Sequence, residues 1–336
     1  MSEDAPRADI VIVNYNAGEY LIECVRSLET QTESRFRCFI VDNSPGNGDV
    51  EALGALDDRF VIESQPGNTG FAAGCNRGAA LGSAPWIAML NPDACAEPDW
   101  LEKLLACVET HNVAMAGSTQ IMAQNQDRLD GAGDVYTAYG VAWRGGFEQS
   151  IDRNPPTGYC FSPCAAASIY RRTDFNRVGG FDERFFCYME DVDIAYRLRL
   201  LGERAIHCHE ARVTHVGSAT SGRASPFVIY HGTRNRIWTF LKNTPPVLLV
   251  LMLPLHVLVN LAFLVRSGFH DRFGQTWKGT RDGIAGWSWI RTERKRLAAT
   301  RNTGSWKLAG AMCWSPVKLL QRAPDVRPLG RSQALK

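Results

Sequence analysis

None of the ten cysteines forms a C-x-x-C pair, which removes the commonest zinc and dithiol-redox signatures. Cys160 and Cys164 are separated by three residues, and His207-Cys208-His209 is a compact ligand cluster. Both lack the further ligands a four-coordinate zinc site needs. Reduced, mostly buried thiols are the expectation. The start, Met1-Ser2-Glu3-Asp4-Ala5-Pro6, is polar and acidic and has no apolar core. It does not read as a signal peptide, so the chain is expected to work in the cytoplasm. Net charge is also nearly missing, at +2 over 336 residues. That sum conceals an asymmetry: Arg266 to Lys336 holds 15 Lys/Arg and 4 Asp/Glu, against 22 and 31 in residues 1–265. An acidic body joined to a basic tail points to an anionic surface as partner, and no nucleic-acid partner is expected. With 45% hydrophobic residues, the length suits one large α/β domain with an appendage, or two modest domains.

Strand and helix patterns alternate through the first part of the chain. Ile10–Val13, Cys38–Val41, Phe60–Ile62, Trp86–Leu90 and Val113–Ala116 read as strands, and helices are predicted over 71–81 and 98–111. This is a βαβ progression with a mostly parallel central sheet. Ligands of such sheets sit beyond the carboxyl ends of the strands. There stand Asn14-Tyr15-Asn16, Asp42-Asn43, Asn68-Thr69-Gly70 and Asn91-Pro92-Asp93. Residues 125–160 are polar with no period and read as loops and short strands. Ala165 to Tyr170 reads as a strand. Asp191 to Leu201 is a predicted helix that opens on Glu190-Asp191, where the helix dipole favours ionised carboxylates; Asp193 is expected to cap it.

Taken in order, Val13-Asn14-Tyr15-Asn16, Val41-Asp42-Asn43-Ser44, Asn68 to Gly78, Leu90-Asn91-Pro92-Asp93-Ala94, Gly179 to Arg197 and Arg234-Asn235 resemble the inverting nucleotide-sugar glycosyltransferases of family 2. The similarity covers roughly residues 8–242 and is nearest to the rhamnosyltransferase-like enzymes of cell-surface polysaccharide assembly. The resemblance implies a GT-A fold. Residues 1–242 would be the catalytic domain, with a nucleotide-sugar half (8–120) and an acceptor half (121–242); residues 243–336 would be a membrane-associating helical region. It also implies a role for each polar cluster. Asp191 would be the general base, with Glu190 beside it. Asp93 and His215 would hold Mg²⁺ or Mn²⁺ under the leaving diphosphate. Asn14, Asn16, Asp42, Asn43, Asn68, Gly70, Asn76, Arg77, Asn91 and Arg234 would bind the nucleotide sugar, Arg234 as a bidentate partner of the diphosphate. Asn91 departs from the family's two-Asp pattern and offers only a neutral oxygen. The expected donor is dTDP-rhamnose, with UDP-hexose or GDP-mannose as alternatives, and the acceptor a lipid-linked or polysaccharide glycan. A nucleotidyltransferase would want a basic phosphate loop after the first strand, and Asn14-Tyr15-Asn16-Ala17-Gly18 contains no Lys or Arg. A non-catalytic glycan-binding scaffold is the other alternative, supported only by Asn91.

Pro245 to Val265 carries no formal charge and is long enough to span a bilayer. Pro254 interrupts it, His256 and Asn260 share one helical face, and a span would carry the basic tail outward, against the positive-inside rule. A helix lying in the membrane interface is therefore expected, with the enzyme peripheral or monotopic on the cytoplasmic face of the inner membrane. Trp277, Trp287, Trp289, Trp306 and Trp314 are expected at headgroup level.

Overall fold

The computed structural model describes residues 5–217 and 225–330; residues 1–4 of the acidic N-terminal segment lie outside it. The apolar runs of the first part form β1 (Ala8–Asn14), β2 (Phe36–Asp42), β3 (Phe60–Ser64) and β4 (Trp86–Leu90), with α1 (Glu19–Glu29) and α2 (Phe71–Leu81) between them. These strands pair in parallel in the order β4-β1-β2-β3. β1 and β4 are buried along their whole length, as unbroken apolar runs require of doubly covered strands. α2 lies very close to the sheet. A Cβ on Gly74 would stand 2.7 Å from Val13, and one on Gly78 would run into Val11.

The chain continues through β5 (Ala94–Ala96), α3 (Trp100–His111), β6 (Met115–Met122), β7 (Leu129–Ala132), β8 (Asp134–Tyr136), β9 (Ala142–Arg144), β10 (Gly158–Cys160) and β11 (Ala167–Arg171). Then come α4 (Arg172–Val178), α5 (Glu190–Leu200) and β12 (Ala205–His215). The main sheet runs β13-β10-β12-β6-β11-β4-β1-β2-β3, where β13 is Arg327–Pro328. β11 is antiparallel to both β4 and β6, and β10 is antiparallel to β12. The expected parallel order thus holds on the β1–β4 side and becomes mixed beyond it. Helical crossovers link the early strands, whereas β6 to β11 are joined by short loops that permit antiparallel neighbours.

α6 (Pro226–Asn243), α7 (Pro246–Gly268), α8 (Phe273–Ala285), α9 (Trp287–Thr300), α10 (Ser305–Gly310) and α11 (Pro316–Gln321) complete the chain. They pack on the body. Leu297, Leu308 and Met312 share a buried cluster with Tyr136, Phe161 and Tyr196. Lys242 of α6 is buried between Asp182 and Asp193, with Nζ 2.7 Å from each. Asp193 also accepts from Arg197 Nε at 2.8 Å. The expected helix cap is instead the centre of a buried ion network that ties α5 to α6.

Pro254 does not break α7, which runs continuously through it. Its inward face carries His256 and Asn260. His256 Nδ1 meets the Tyr139 carbonyl at 2.9 Å, and its ring stacks on Phe240 at 3.9 Å. The outward residues Val250, Leu258, Leu261 and Val265 are exposed. Among the described residues α7 is the one helix long and apolar enough to cross a membrane. Trp277, Trp287, Trp306 and Trp314 are exposed. Trp289 departs from the expectation: it stands edge-on to Trp238 at 5.0 Å, with Arg184 over its ring at 4.1 Å.

Candidate active site

A cleft of about 570 Å³ lies where the β4 end, the start of α5 and α6–α8 meet. Asn91, Asp134, Arg144, Glu190, Asp191 and His215 all line it. Asn91 from the β4 end, His215 from the β12 end and Glu190-Asp191 from the start of α5 thus line one space, although they lie far apart in sequence; Asp93 does not line it and is reached through His215.

Asp191 is held on both oxygens by backbone donors. Ala165 N–H donates to Oδ2 at 3.1 Å and Val192 N–H donates to Oδ1 at 2.7 Å. Burial pushes its carboxyl above the ordinary range, and these backbone hydrogen bonds oppose the rise. Glu190 differs. Its Oε2 is buried without a partner, and burial followed by the neighbouring Asp191 charge drives its carboxyl well up. Asp191 is the member of the pair that backbone donors orient and that they favour in its ionised form, whereas burial and the Asp191 charge disfavour the ionised form of Glu190. Asp134, which sequence reasoning missed, lies close enough that its carboxylate, the Cys164 thiol and the Asp191 carboxylate present ligand atoms within 4.8 Å of one another. Burial, then the Asp191 charge, raises Asp134 strongly. Two buried carboxyls this close share a proton more readily than they both ionise.

The segment before α5 is bent. Phe186, Tyr188 and Met189 have φ of 67°, 70° and 69°, each costing about 1–3 kcal/mol outside glycine. Asn235 holds them: its buried amide donates to the carbonyls of Phe185, Cys187 and Tyr188 at 2.9, 2.9 and 2.8 Å. Arg234 assists, donating through Nη2 to the carbonyls of Arg184 and Phe185 at 3.1 and 3.0 Å and stacking on Trp238 at 4.1 Å. Its expected diphosphate role gives way to this one, since the guanidinium is committed to the loop that aims Asp191.

His215 closes β12. Its Nε2 lies 3.2 Å from Asp93 Oδ1 and 3.3 Å from the Asn91 amide, and its Nδ1 lies 2.7 Å from Asp130 Oδ2. Asp130, also missed, pairs with Arg144. Burial disfavours the imidazolium, yet Asp130 and Asp93 carry its pKa up to about 9. Two ligands on one octahedral ion and cis to each other, each at roughly 2.1 Å, stand about 3 Å apart. Asp93 Oδ1 and His215 Nε2 meet that spacing, and Asp130 orients the imidazole as an outer carboxylate does at metal sites. A divalent ion on this donor pair would replace the ion pair between them, and the imidazole would give up its proton to ligate it.

The nucleotide-side residues separate into two sets. Asn14 Nδ2 donates to Asp42 Oδ1 at 3.0 Å, and Asp42 Oδ2 is buried without a partner at the carboxyl end of β2. Asn16, Ser44 and Asn47 form a rim beside them. The remaining residues serve the chain itself. Asn43 binds the Gly70 carbonyl at 3.2 Å and the Thr69 hydroxyl at 3.1 Å, and Asn68 Oδ1 accepts from Gly70 N–H at 2.9 Å. Gly70, at φ 89°, leaves room for Phe186, which a Cβ would meet at 2.6 Å; the close approach expected of a ligand is made by Phe186. Asn76 is spent on Phe181 and Glu183, and Arg77 on Glu63. Of all the predicted nucleotide-side residues only Asn91 lines the cleft itself; Asn14 and Asp42 lie outside it, as do Asn76 and Arg77. His207 and His209 both bond to the Asn154 amide, and burial takes His207 down to about 3.

A parallel half-sheet with polar strand ends, beside a cleft that brings Asn91 and His215 together with an oriented carboxylate, is the arrangement of a GT-A glycosyltransferase. Residues 9–179 match the model of glycosyl transferase family 2, and the chain belongs to that family. It is 27% identical over 259 residues to the N-acetylglucosaminyl-diphospho-decaprenol L-rhamnosyltransferase of Mycobacterium tuberculosis, covering 66% of this chain and 80% of that one. To the glucosyl-dolichyl phosphate glucuronosyltransferase of Haloferax volcanii it is 27% identical, covering 62% and 69%. In fold it is similar to the mannosyltransferase PcManGT of Pyrobaculum calidifontis in complex with GDP-Man and Mn²⁺, at a TM-score of 0.55, 14% identity and coverage of 91% and 84%. GalNAc-T7 with UDP, GalNAc and Mn²⁺ gives a TM-score of 0.57 at 14% identity, covering 71% of this chain and 48% of that one.

Proposed function

We propose that this glycosyltransferase moves a sugar, with inversion, from a nucleoside diphosphate onto a hydroxyl of a lipid-linked glycan at the cytoplasmic surface of the inner membrane. The observation that carries the reading is the shared cleft: Asp191 faces the space that His215 and Asn91 also line. Asp93 and His215 would hold Mg²⁺ or Mn²⁺, which when bound neutralises charge on the departing diphosphate. Asp42 would accept from a nucleoside N–H or hydroxyl through its unpartnered oxygen, with Asn14 fixing the carboxylate. Asp191 takes the acceptor hydroxyl proton as that oxygen bonds to the anomeric carbon and the bond to the diphosphate breaks. The residue set 1–242 would carry this chemistry, and 243–336 would provide the membrane contact.

The rhamnosyltransferase relative from M. tuberculosis supports rhamnose, delivered as dTDP-rhamnose, as the donor sugar. Its name and that of the H. volcanii relative support a polyprenyl-linked acceptor. Mn²⁺ in the two solved structures supports the divalent ion. The exposed face of α7 and the basic C-terminal region support the membrane location.

Thermal denaturation with dTDP-rhamnose, UDP-glucose, UDP-galactose and GDP-mannose, each with Mg²⁺ or Mn²⁺, tests the donor. The matching nucleotide sugar stabilises the fold by mass action and does so only with the ion. Failure of all four to shift the transition, with either ion, overturns the reading.

A further inference from the structure

The part of the cleft wall supplied by α6, α7 and α8 differs in charge from the part around Asp191. It contributes Arg236, Arg266, His270 and Arg272, and no Asp or Glu. None of the three arginines pairs with a carboxylate among the described residues. Arg236 donates through Nε and Nη2 to Asn260 Oδ1 at 3.3 and 2.7 Å and lies over the Phe263 ring at 4.5 Å. Burial alone acts on this guanidinium, lowering it to about 10. A partly buried cation with no acid beside it carries a desolvation cost that an incoming anion offsets.

The donor's diphosphate already has its place beside Asp93 and His215 in the proposed function. The arginines make a second anion site in the same cleft, so they suit a phosphate on the other substrate. Position gives the rest of that substrate. Arg266 lies at the C-terminal end of α7, directly after exposed Val265 and on the helix whose outward face carries Leu258 and Leu261. A ligand whose phosphate met Arg266 would find an apolar surface for whatever hydrocarbon it carried. The cleft volume of about 570 Å³ falls within the roughly 300–1,000 Å³ that hold a drug-sized ligand, and the arginines and Asp191 line that same cleft.

We propose that Arg236, Arg266 and Arg272, with His270, bind the phosphate or diphosphate of a prenyl-type lipid acceptor whose hydrocarbon chain lies along the exposed face of α7. The site deepens the proposed function and rests on it for the identity of the lipid as acceptor. Guanidinium groups match phosphate oxygens in a bidentate fork, so replacement by a neutral amide removes more than charge.

Binding of farnesyl diphosphate to the full chain in detergent micelles tests this, with farnesol as the neutral control and dTDP plus Mn²⁺ as the donor-side control. Arg266→Gln with Arg272→Gln changes only exposed side chains, and Arg236→Lys keeps a charge in the partly buried position. The expected result is tighter binding of farnesyl diphosphate than of farnesol. The double variant loses about tenfold or more for farnesyl diphosphate and keeps its affinity for dTDP. Loss of dTDP binding instead would assign the arginines to the donor and overturn the proposal. Equal binding of farnesol and farnesyl diphosphate overturns it as well. So does a double variant that leaves farnesyl diphosphate binding intact while weakening attachment to phosphatidylglycerol vesicles, which would make the arginines a bilayer contact. The readout involves no sugar transfer. A protein that bound farnesyl diphosphate through these residues yet turned over no nucleotide sugar would refute the proposed function and leave the site standing.

Discussion

Glu190 and Asp191 are adjacent in sequence and differ in what meets their oxygens. Asp191 receives two backbone N–H donors, whereas Glu190 Oε2 receives none. Because burial raises Glu190 in the folded state, its neutral form suits the fold. Its contribution is present below the unfolded pKa of about 4.3 and is lost as pH rises through the raised folded value. Glu190→Gln, uncharged throughout, is therefore expected to gain stability over wild type as pH rises from about 5 to about 8. Thermal unfolding at both values checks this, and a pH-independent difference contradicts it. Asp130 offers a second residue-scale test. It holds His215 from the far side of the ring. Asp130→Asn is expected to weaken Mn²⁺ affinity roughly 10- to 100-fold while leaving the direct ligands in place. A metal titration at fixed pH reads the change, and an unaltered affinity removes Asp130 from that role. Neither Asp130 nor Asp134 was legible in the sequence. Both sit in a stretch without periodicity, and their importance comes from β7 and β8 folding beside β12 and α5.

The strained turn before α5 and its clamp on α6 form one functional unit. Three non-glycine residues with positive φ persist there because Asn235 meets three carbonyls of the turn. Asn235→Ala would leave the turn free to relax and Asp191 free to drift. The expected outcome is a fall of up to about a hundredfold in kcat with donor KM little changed, since Asn235 touches no substrate. Steady-state kinetics checks the split; an unchanged kcat would make the clamp dispensable. At this scale the sequence was informative about strands and blind to the clamp. The runs at Ile10–Val13 and Trp86–Leu90 formed strands because continuous apolar stretches have few other ways to bury both faces. Arg234-Asn235 was recognised as special, but its partners lie some fifty residues earlier in the chain. Nothing local distinguished a guanidinium that binds phosphate from one that binds backbone carbonyls. Asn68, Gly70 and Asn76 show the same limit: Asn68 Oδ1 and the Asn76 amide bond to the chain itself, and Gly70 makes room for Phe186, contacts that no local pattern announces.

The whole molecule joins a glycosyltransferase body to an apolar helix with one face docked and one face bare. His256, through the Tyr139 carbonyl, and Asn260, which accepts from Arg236 of α6, fasten α7 to the rest of the chain. In the proposed function the outward leucines meet the bilayer. Burying each is worth about 1.5–3 kcal/mol, so Leu258→Glu with Leu261→Glu is expected to reduce partition onto anionic vesicles by well over tenfold. A salt wash alone should release wild type only in part, because electrostatics supplies part of the attraction. Cosedimentation measures both, and full release of wild type by salt would contradict the role given to α7. The account depends most on Asp191 as the group that takes the acceptor proton. Its direct test is Asp191→Asn, assayed in parallel for donor binding with Mn²⁺ and for sugar transfer. Donor affinity is expected to be unchanged and transfer reduced by about 10²- to 10⁴-fold. A variant that binds donor and transfers at the wild-type rate would contradict it.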